Sequence, residues 1–436
     1  MRGSKIVLRR TVAGLVAVSA VIAMAGCSTK PTTPASEGPQ TLTIWNPQDQ
    51  WRKTSEWVKT HLDAFQAKHP NVTVEVVDVP YQEYEARYQA AFSGPVQNQP
   101  DVFIAPVAYY AKGLGISQEA PADLQALWKK ELIQATAPSF QVNGNYYGYP
   151  CSTDLGMQLY YNVDMFVAAG LDPNKPPATF DELMQYAQKL AVVENGKVTR
   201  AGMAVRYSGS QTGIADKALP YIHAFGGRLY AADDSTSKGY LDSAGTIAGL
   251  TFLQKLVYGT PPASSIQLGV PDDIFAQGLA AMTFREGWYE GTLAKTAPNL
   301  NYREAPYPSG PAGYPKVSLL FNWAWNVNGK SPKADLAWDW IRTTFTAQTD
   351  LDLAKLEGYL PVWNVNFKDP YVSDRKDYVA VQKQLSEGPG PSYLAPLSDQ
   401  ISTRIGEAVE AILQGADVKT TLEAAVPDVD ALLQQK

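Results

Sequence analysis

The stretch from Thr41 to Val79 constrains the fold more than any other part of the chain. Thr41-Leu42-Thr43-Ile44-Trp45 alternates polar and apolar residues with the period of a half-buried strand. Thr54 to Lys68 follows with Val58, Leu62 and Phe65 on one helical face, and His69-Pro70 ends it. Val72 to Val79 is β-branched and alternating, so it reads as a second strand. Strand, helix and strand at this spacing make a βαβ unit, whose crossover is almost always right-handed. Asp101-Val102-Phe103-Ile104-Ala105 adds a short buried strand, and the chain therefore opens as an α/β layer.

The segment before it has a different character. Arg2, Lys5, Arg9 and Arg10 form a basic start, and Thr11 to Gly26 is apolar or small throughout. That run is short for a hydrocarbon core of about 30 Å and has no stop-transfer flank, so residues 1–26 read as a signal peptide. It ends in Met24-Ala25-Gly26-Cys27, which resembles the lipobox of bacterial lipoproteins; the resemblance makes Cys27 the lipidated residue. Residues 27–40, rich in Thr, Pro, Ser and Gly, carry no hydrophobic period and bury too little to offset their ordering entropy, so they read as a tether.

Roughly 395 residues remain beyond the tether, enough for two or three domains. No later segment reaches 18 consecutive apolar residues, the length a second membrane span needs. A net charge of −6 without a Lys/Arg cluster argues against a nucleic-acid partner. With Cys27 lipidated, Cys151 is left without a disulfide partner, and its place after an apolar strand marks it as a buried small residue.

Further α/β elements follow. Thr179-Phe180-Asp181-Glu182 is a capping box, and Leu183, Tyr186, Ala187 and Leu190 supply the apolar face of the helix it starts. Ala244 to Val257 has helical spacing, Leu279 to Phe284 reads as a strand, and Ser331-Pro332 begins a helix with Ala337, Ile341 and Phe345 as its buried stripe. The last 40 residues read as helical, with Ile401, Ile405, Val409 and Ile412 in register.

Several motifs in this order resemble one family. Gln99-Pro100-Asp101-Val102-Phe103, then Tyr147-Gly148-Tyr149-Pro150 with Leu159 to Phe166 and Ala169-Gly170-Leu171, then Ala178 to Leu183, Ala280-Ala281-Met282 with Gly287-Trp288, and finally Asn322 to Trp325 with Gly358-Tyr359-Leu360-Pro361-Val362 follow its blocks. The mature chain is similar to the family 1 extracellular solute-binding proteins of ABC importers, the group that includes maltose-binding protein. The resemblance implies an α/β, two-lobe periplasmic-binding-protein-like fold, each lobe a mixed sheet flanked by helices, joined by hinge strands. It implies one lobe from residues 41–151 plus 305–357 and another from 152–304 plus 358–436, with hinge candidates at Tyr149 to Thr153 and Tyr302 to Ala305. It also implies a lipid-anchored, extracytoplasmic, monomeric protein that closes on a di- or oligosaccharide and passes it to transmembrane importer subunits. No cofactor is expected.

Sugars offer a C–H face suited to aromatic rings and hydroxyls suited to planar polar groups, and the chain has 10 Trp and 24 Tyr. Ligands of open α/β sheets sit beyond strand carboxyl ends, which selects Asn46, Gln48 and Asp49 after the first strand; a helix-capping loop is the plainer alternative. The resemblance adds Tyr109 and Tyr110, Asp154 after the hinge, and Trp288 as the stacking residue. Asn322 and Trp323 depart from the Gly-Gly-Trp of relatives. Trp363 stands where relatives carry a basic residue, either stacking a second sugar unit or packing between lobes. Arg404 is a further candidate, with an exposed helix charge as the alternative.

The sequence offers three other readings. Asn328-Gly329-Lys330-Ser331 imitates the end of a phosphate-binding loop, but Ala324 replaces the first glycine and Trp325 fills the loop. A glycosidase needs two carboxylates about 5–9.5 Å apart; Asp49 and Asp154 can both reach a cleft, yet no motif pairs a nucleophile with a base. Three histidines, His61, His69 and His223, form no metal-ligand pair. The same fold can also take a peptide, a polyamine or a phosphate ester, and the lack of an Arg/Lys cluster in the sequence weighs against an anionic ligand.

Overall fold

The computed structural model describes residues 38–47, 53–107, 109–151, 157–311, 323–374 and 398–435. The strands of the two main sheets are, in chain order, β1 (Gln40–Pro47), β2 (Val72–Val79), β3 (Val102–Pro106), β4 (Gly148–Pro150), β5 (Gln158–Asn162), β6 (Met282–Arg285), β7 (Tyr302–Ala305) and β8 (Trp323–Val327). The helices that matter here are α1 (Thr54–Thr60), α2 (Asp63–Lys68), α3 (Tyr84–Ser93), α4 (Phe180–Leu190), α5 (Gln211–Ala224), α6 (Ala244–Tyr258), α7 (Ala334–Thr344), α8 (Ala347–Glu357), α9 (Ser398–Leu413) and α10 (Val418–Leu433).

The fold is the two-lobe α/β arrangement expected, with a mixed sheet and flanking helices in the first lobe. Its sheet runs β2-β1-β3-β8-β4. The first pairs are parallel, from Gln40 opposite Val72 to Pro47 opposite Val79, while β8 returns from far along the chain to lie antiparallel between β3 and β4. Leu42 and Ile44 of β1 are fully buried, which is the alternation read in the sequence. Central β3 is buried at every position. Trp57, Trp325, Trp340 and Tyr149 fill the same core, and Tyr359 and Val362 join it after α8.

Asp101 explains why the Gln99-Pro100-Asp101 motif belongs before β3. Its Oδ2 accepts from the Thr43 amide at 2.8 Å and from Lys333 Nζ at 2.6 Å, and its Oδ1 accepts from Ser331 Oγ at 2.5 Å. One buried carboxylate thus ties β1 to the entrance of α7. Asn328 Nδ2 donates to Gln99 Oε1 at 3.1 Å and to the Pro100 carbonyl at 3.0 Å. The segment that imitates a phosphate loop is therefore a structural turn, its polar atoms consumed by the protein.

The second lobe's sheet has the order β6-β5-β7 with antiparallel pairs, and isolated parallel bridges join Thr179 to Ser309 and Ala201 to Ala280. Its core gathers Phe180 and Leu183 of α4, Tyr221 of α5, Leu250 of α6, Phe284 of β6 and Ile405 and Val409 of α9. The Thr179 hydroxyl accepts from the Glu182 amide at 3.1 Å, as the capping box requires, although the Glu182 carboxylate reaches one residue further back, to the Ala178 amide at 2.7 Å.

Three elements differ from the sequence reading. The helix expected from Thr54 to Lys68 is two helices, because His61 Nδ1 lies 2.8 Å from the Trp57 carbonyl oxygen and the His61 amide turns to Val58 O at 3.1 Å. The strand expected to begin at Leu279 begins at Met282, since the Leu279 and Ala280 amides close the preceding turn on Ile274 O at 2.7 and 3.0 Å. The C-terminal helical region is α9 followed by α10, restarted by Asp417, whose side chain accepts from the Thr420 amide at 2.9 Å. No described helix is long and apolar enough to cross a membrane.

Candidate functional site

The end of β6 carries charge into a buried setting. The sequence Phe284-Arg285-Glu286-Gly287-Trp288 leaves a strand whose residues are all buried, and Arg285 and Glu286 are themselves only 3% and 6% exposed. Charges this deep need partners. Lys217 of α5 pairs with Glu286, and Arg285 Nη2 lies 3.0 Å from Asp272 Oδ2 and its Nε 3.7 Å from Glu286 Oε2. Burial pushes the Glu286 carboxyl up, but the Lys217 and Arg285 charges outweigh it and hold it below the ordinary value. Burial also lowers the Lys217 ammonium, against the pull of Glu286.

Trp288 follows this cluster and is half-buried. It packs on the first lobe's core and also on the small cluster of Tyr160, Phe275 and Tyr289 in the second lobe, so its indole spans the junction. The Arg285 guanidinium sits 4.7 Å from the indole centroid, a cation–π contact that fixes the ring plane.

The two lobes also meet electrostatically beside α5. Asp216 is exposed but hemmed in by protein; that crowding raises its carboxyl to about 6, with Lys217 and Arg206 pulling it down and Glu286 and Glu85 of α3 pushing it up. Between α5 and β6 lies a cavity lined by Arg206, Lys217, Tyr221, Pro271, Thr283 and Arg285, among others.

The residues selected from sequence fall in several places. Asn46 is fully buried, and its Nδ2 donates to Ser55 Oγ at 3.1 Å and Asp78 Oδ1 at 2.9 Å. Tyr110 is 1% exposed and packs edge-on against Tyr88, Phe92 and Phe103. Tyr109 opens a π-helical turn, Tyr109–Gly113. Trp323 is 7% exposed and lies 5.2 Å from the Tyr84 ring and 6.2 Å from Tyr81, an aromatic group at the end of β8. Trp363 donates from Nε1 to the Tyr149 hydroxyl at 3.0 Å and packs on the first core. Arg404 is held by Asp428 at 2.7 Å and Glu407 at 3.0 Å on the surface. Cys27, Gln48, Asp49, Asp154 and Asn322 lie outside the described residues. Cys151 is buried, which pushes its thiol well above the usual range. Among the described residues no group of His, Cys, Asp and Glu side chains is placed to hold a metal.

Arg206, Lys217, Asp272 and Glu286 were not singled out from sequence. The one local signal was Arg285-Glu286 between a buried strand and a tryptophan, where two charges in an apolar run announce a partnered cluster.

Residues 60–375 match the family model described as bacterial extracellular solute-binding protein. The chain belongs to that family. A probable ABC transporter-binding protein of Deinococcus radiodurans is 27% identical over 320 residues, covering 71% of this chain and 74% of its own. Among solved structures, UgpB from Mycobacterium tuberculosis in complex with glycerophosphocholine superposes with a TM-score of 0.76 at 20% identity, over 92% of this chain and 99% of that one. The cyclic α-maltosyl-1,6-maltose binding protein of Arthrobacter globiformis gives 0.74 at 21%, over 92% and 100%. The protein is thus an extracytoplasmic binding component of an ABC-type importer rather than an enzyme.

Proposed function

We propose that the solute is a carbohydrate or a related polyol, held between the lobes, and that Cys27 anchors the protein to the cell membrane by lipid. The placement of Trp288 supports this reading: an indole at the junction of two cores, backed by a guanidinium, is a rigid plate for a sugar C–H face. Burial of one ring on it contributes a few kcal/mol at about 25 cal/mol per Å². A micromolar complex needs about 8 kcal/mol in all, within reach once hydrogen bonds are added. Closure follows from a ligand that touches both lobes and so favours the closed population, which the membrane subunits read. The sugar-binding neighbour from Arthrobacter globiformis agrees with this reading.

A thermal-shift screen against mono-, di- and oligosaccharides tests it. A ligand at about 100 times its dissociation constant adds about 2.7 kcal/mol to stability, a readily measured rise in melting temperature. If no saccharide or polyol shifts the transition, the carbohydrate reading falls.

A further inference from the structure

The cavity between α5 and β6 has a charge that the indole plate does not use. Lys217 and Arg285 each hold a carboxylate, Glu286 and Asp272 respectively. Arg206, on the same wall, makes no hydrogen bond or ion pair among the described residues, and its Nε is buried without an acceptor. The exposed carboxylate of Asp216 feels the Arg206 charge, which pulls its carboxyl down, but the two form no ion pair among the described residues. Two glycines give the guanidinium its room: a Cβ on Gly213 would lie 2.8 Å from the Arg206 Nη2, and one on Gly209 would lie 3.0 Å from it. Thr283, 1% exposed, lines the cavity too and places a hydroxyl-bearing side chain on its wall. A guanidinium whose buried Nε has no acceptor is costly in the empty protein. It is answered by a ligand that brings anionic oxygens, for which the planar fork of arginine is well matched.

We infer that this cavity is a subsite for an anionic oxygen group, a phosphate ester or a carboxylate, carried on the polyol solute. Arg206 pairs with the anion, Thr283 donates its hydroxyl, and Lys217 adds positive potential while it remains tied to Glu286. This inference rests on the preceding reading, since it places the acidic group on the same molecule that stacks on Trp288.

Calorimetric titration of the full chain tests it, using glucose against glucose 6-phosphate and glucuronate, and glycerol against glycerol 3-phosphate. At least one acidic probe is expected to bind ten times or more tightly than its neutral counterpart, with the advantage shrinking as salt is raised. Preference for the phosphate or for the uronate tells the two sources apart. Arg206→Gln should remove the advantage and leave neutral binding within twofold, while Arg206→Lys should keep part of it; unchanged melting curves show that both variants fold. Equal binding of acidic and neutral probes overturns the subsite but leaves the carbohydrate reading standing. Acidic probes that bind through Arg206 yet ignore Trp288→Ala keep the subsite and remove the stacking reading. Binding by none of the probes overturns the subsite.

Discussion

The guanidinium of Arg285 lies 4.7 Å from the centroid of the Trp288 indole, and the same guanidinium is anchored 3.0 Å from Asp272. A chain of three residues therefore fixes the plane of the ring that stands between the lobes. Trp288→Ala removes the plate but none of the anchoring charges. It is expected to weaken the best-bound saccharide at least tenfold, with Trp288→Phe intermediate and the empty protein still folded, at a melting temperature lowered by the lost packing. An isothermal titration giving wild-type affinity for the alanine variant would take Trp288 out of the site.

The Lys217–Glu286 pair lies deep enough that losing one partner exposes the other to an uncompensated desolvation penalty. Lys217→Met should cost about 2–4 kcal/mol, at or below the range typical of broken buried pairs, because Arg285 still stands 3.7 Å from Glu286. Glu286→Gln should cost a similar amount by leaving two cations short of a carboxylate. Urea unfolding of both single variants and the double variant gives the coupling. Additive losses, with no recovery in the double variant, would show that the two side chains do not act as a pair.

Much of the fold was legible because its signals are local. The alternation in Leu42 and Ile44, the all-apolar β3 and the Thr179 cap each sit within a few residues, and each forms as read. The cationic wall was hidden because its members are far apart in sequence: Arg206 precedes α5, Lys217 lies within it, and Arg285 ends β6. The apparent lack of an Arg/Lys cluster was a statement about sequence, and the fold assembles one. Tyr110 shows the converse. Its position after β3 pointed to a ligand, yet Tyr88, Phe92 and Phe103 supply aromatic neighbours that draw its ring into the core. By sequence Trp363 fits stacking and packing equally, and its bond to Tyr149, itself hydrogen-bonded to Asp350 at 3.0 Å, ties it into the first lobe.

Two buried groups give stability opposing dependences on pH. His223 on α5 is 3% exposed, and burial, aided by the Arg228 charge, lowers its imidazole to about 3. Its contribution is complete above the unfolded value near 6.5 and is lost as pH falls towards 3, at about 1.4 kcal/mol per pH unit. Asp350 is 4% exposed, and burial raises its carboxyl to about 6, against hydrogen bonds from Tyr149, Trp363, Asn366 and Val362. It binds a proton in the fold that the unfolded chain has released, so its contribution is present near pH 4 and lost as pH rises through 6. Between pH 4 and 6 the two slopes nearly cancel. Relative to the parent profile, His223→Gln should tilt stability downward with rising pH across that window, and Asp350→Asn should tilt it upward. Denaturant titrations at half-unit intervals check this, and parallel profiles for the two variants would refute the assignment.

The start of α5, which frames the cavity beside Arg206, is held by a close helix crossing. A Cβ on Gly406 of α9 would stand 2.0 Å from the Gln211 carbonyl oxygen, a contact that backbone cannot relieve without moving. Gln211 Nε2 also donates to Glu410 Oε2 at 2.7 Å, one turn further along α9, so the helices are joined by a hydrogen bond as well as by close approach. Gly406→Ala must then displace α5, at about 1–3 kcal/mol for an overpacked site. Because the same displacement moves Ser210, Gly213 and the guanidinium they surround, the variant should lose binding of an acidic probe more than its modest loss of stability accounts for. Gly406→Ala should lower both the melting temperature and the affinity, whereas Gln211→Ala, which keeps the close approach and removes only the hydrogen bond, should change each by less. An alanine at 406 that alters neither quantity would mean that α9 does not set the position of the cavity wall.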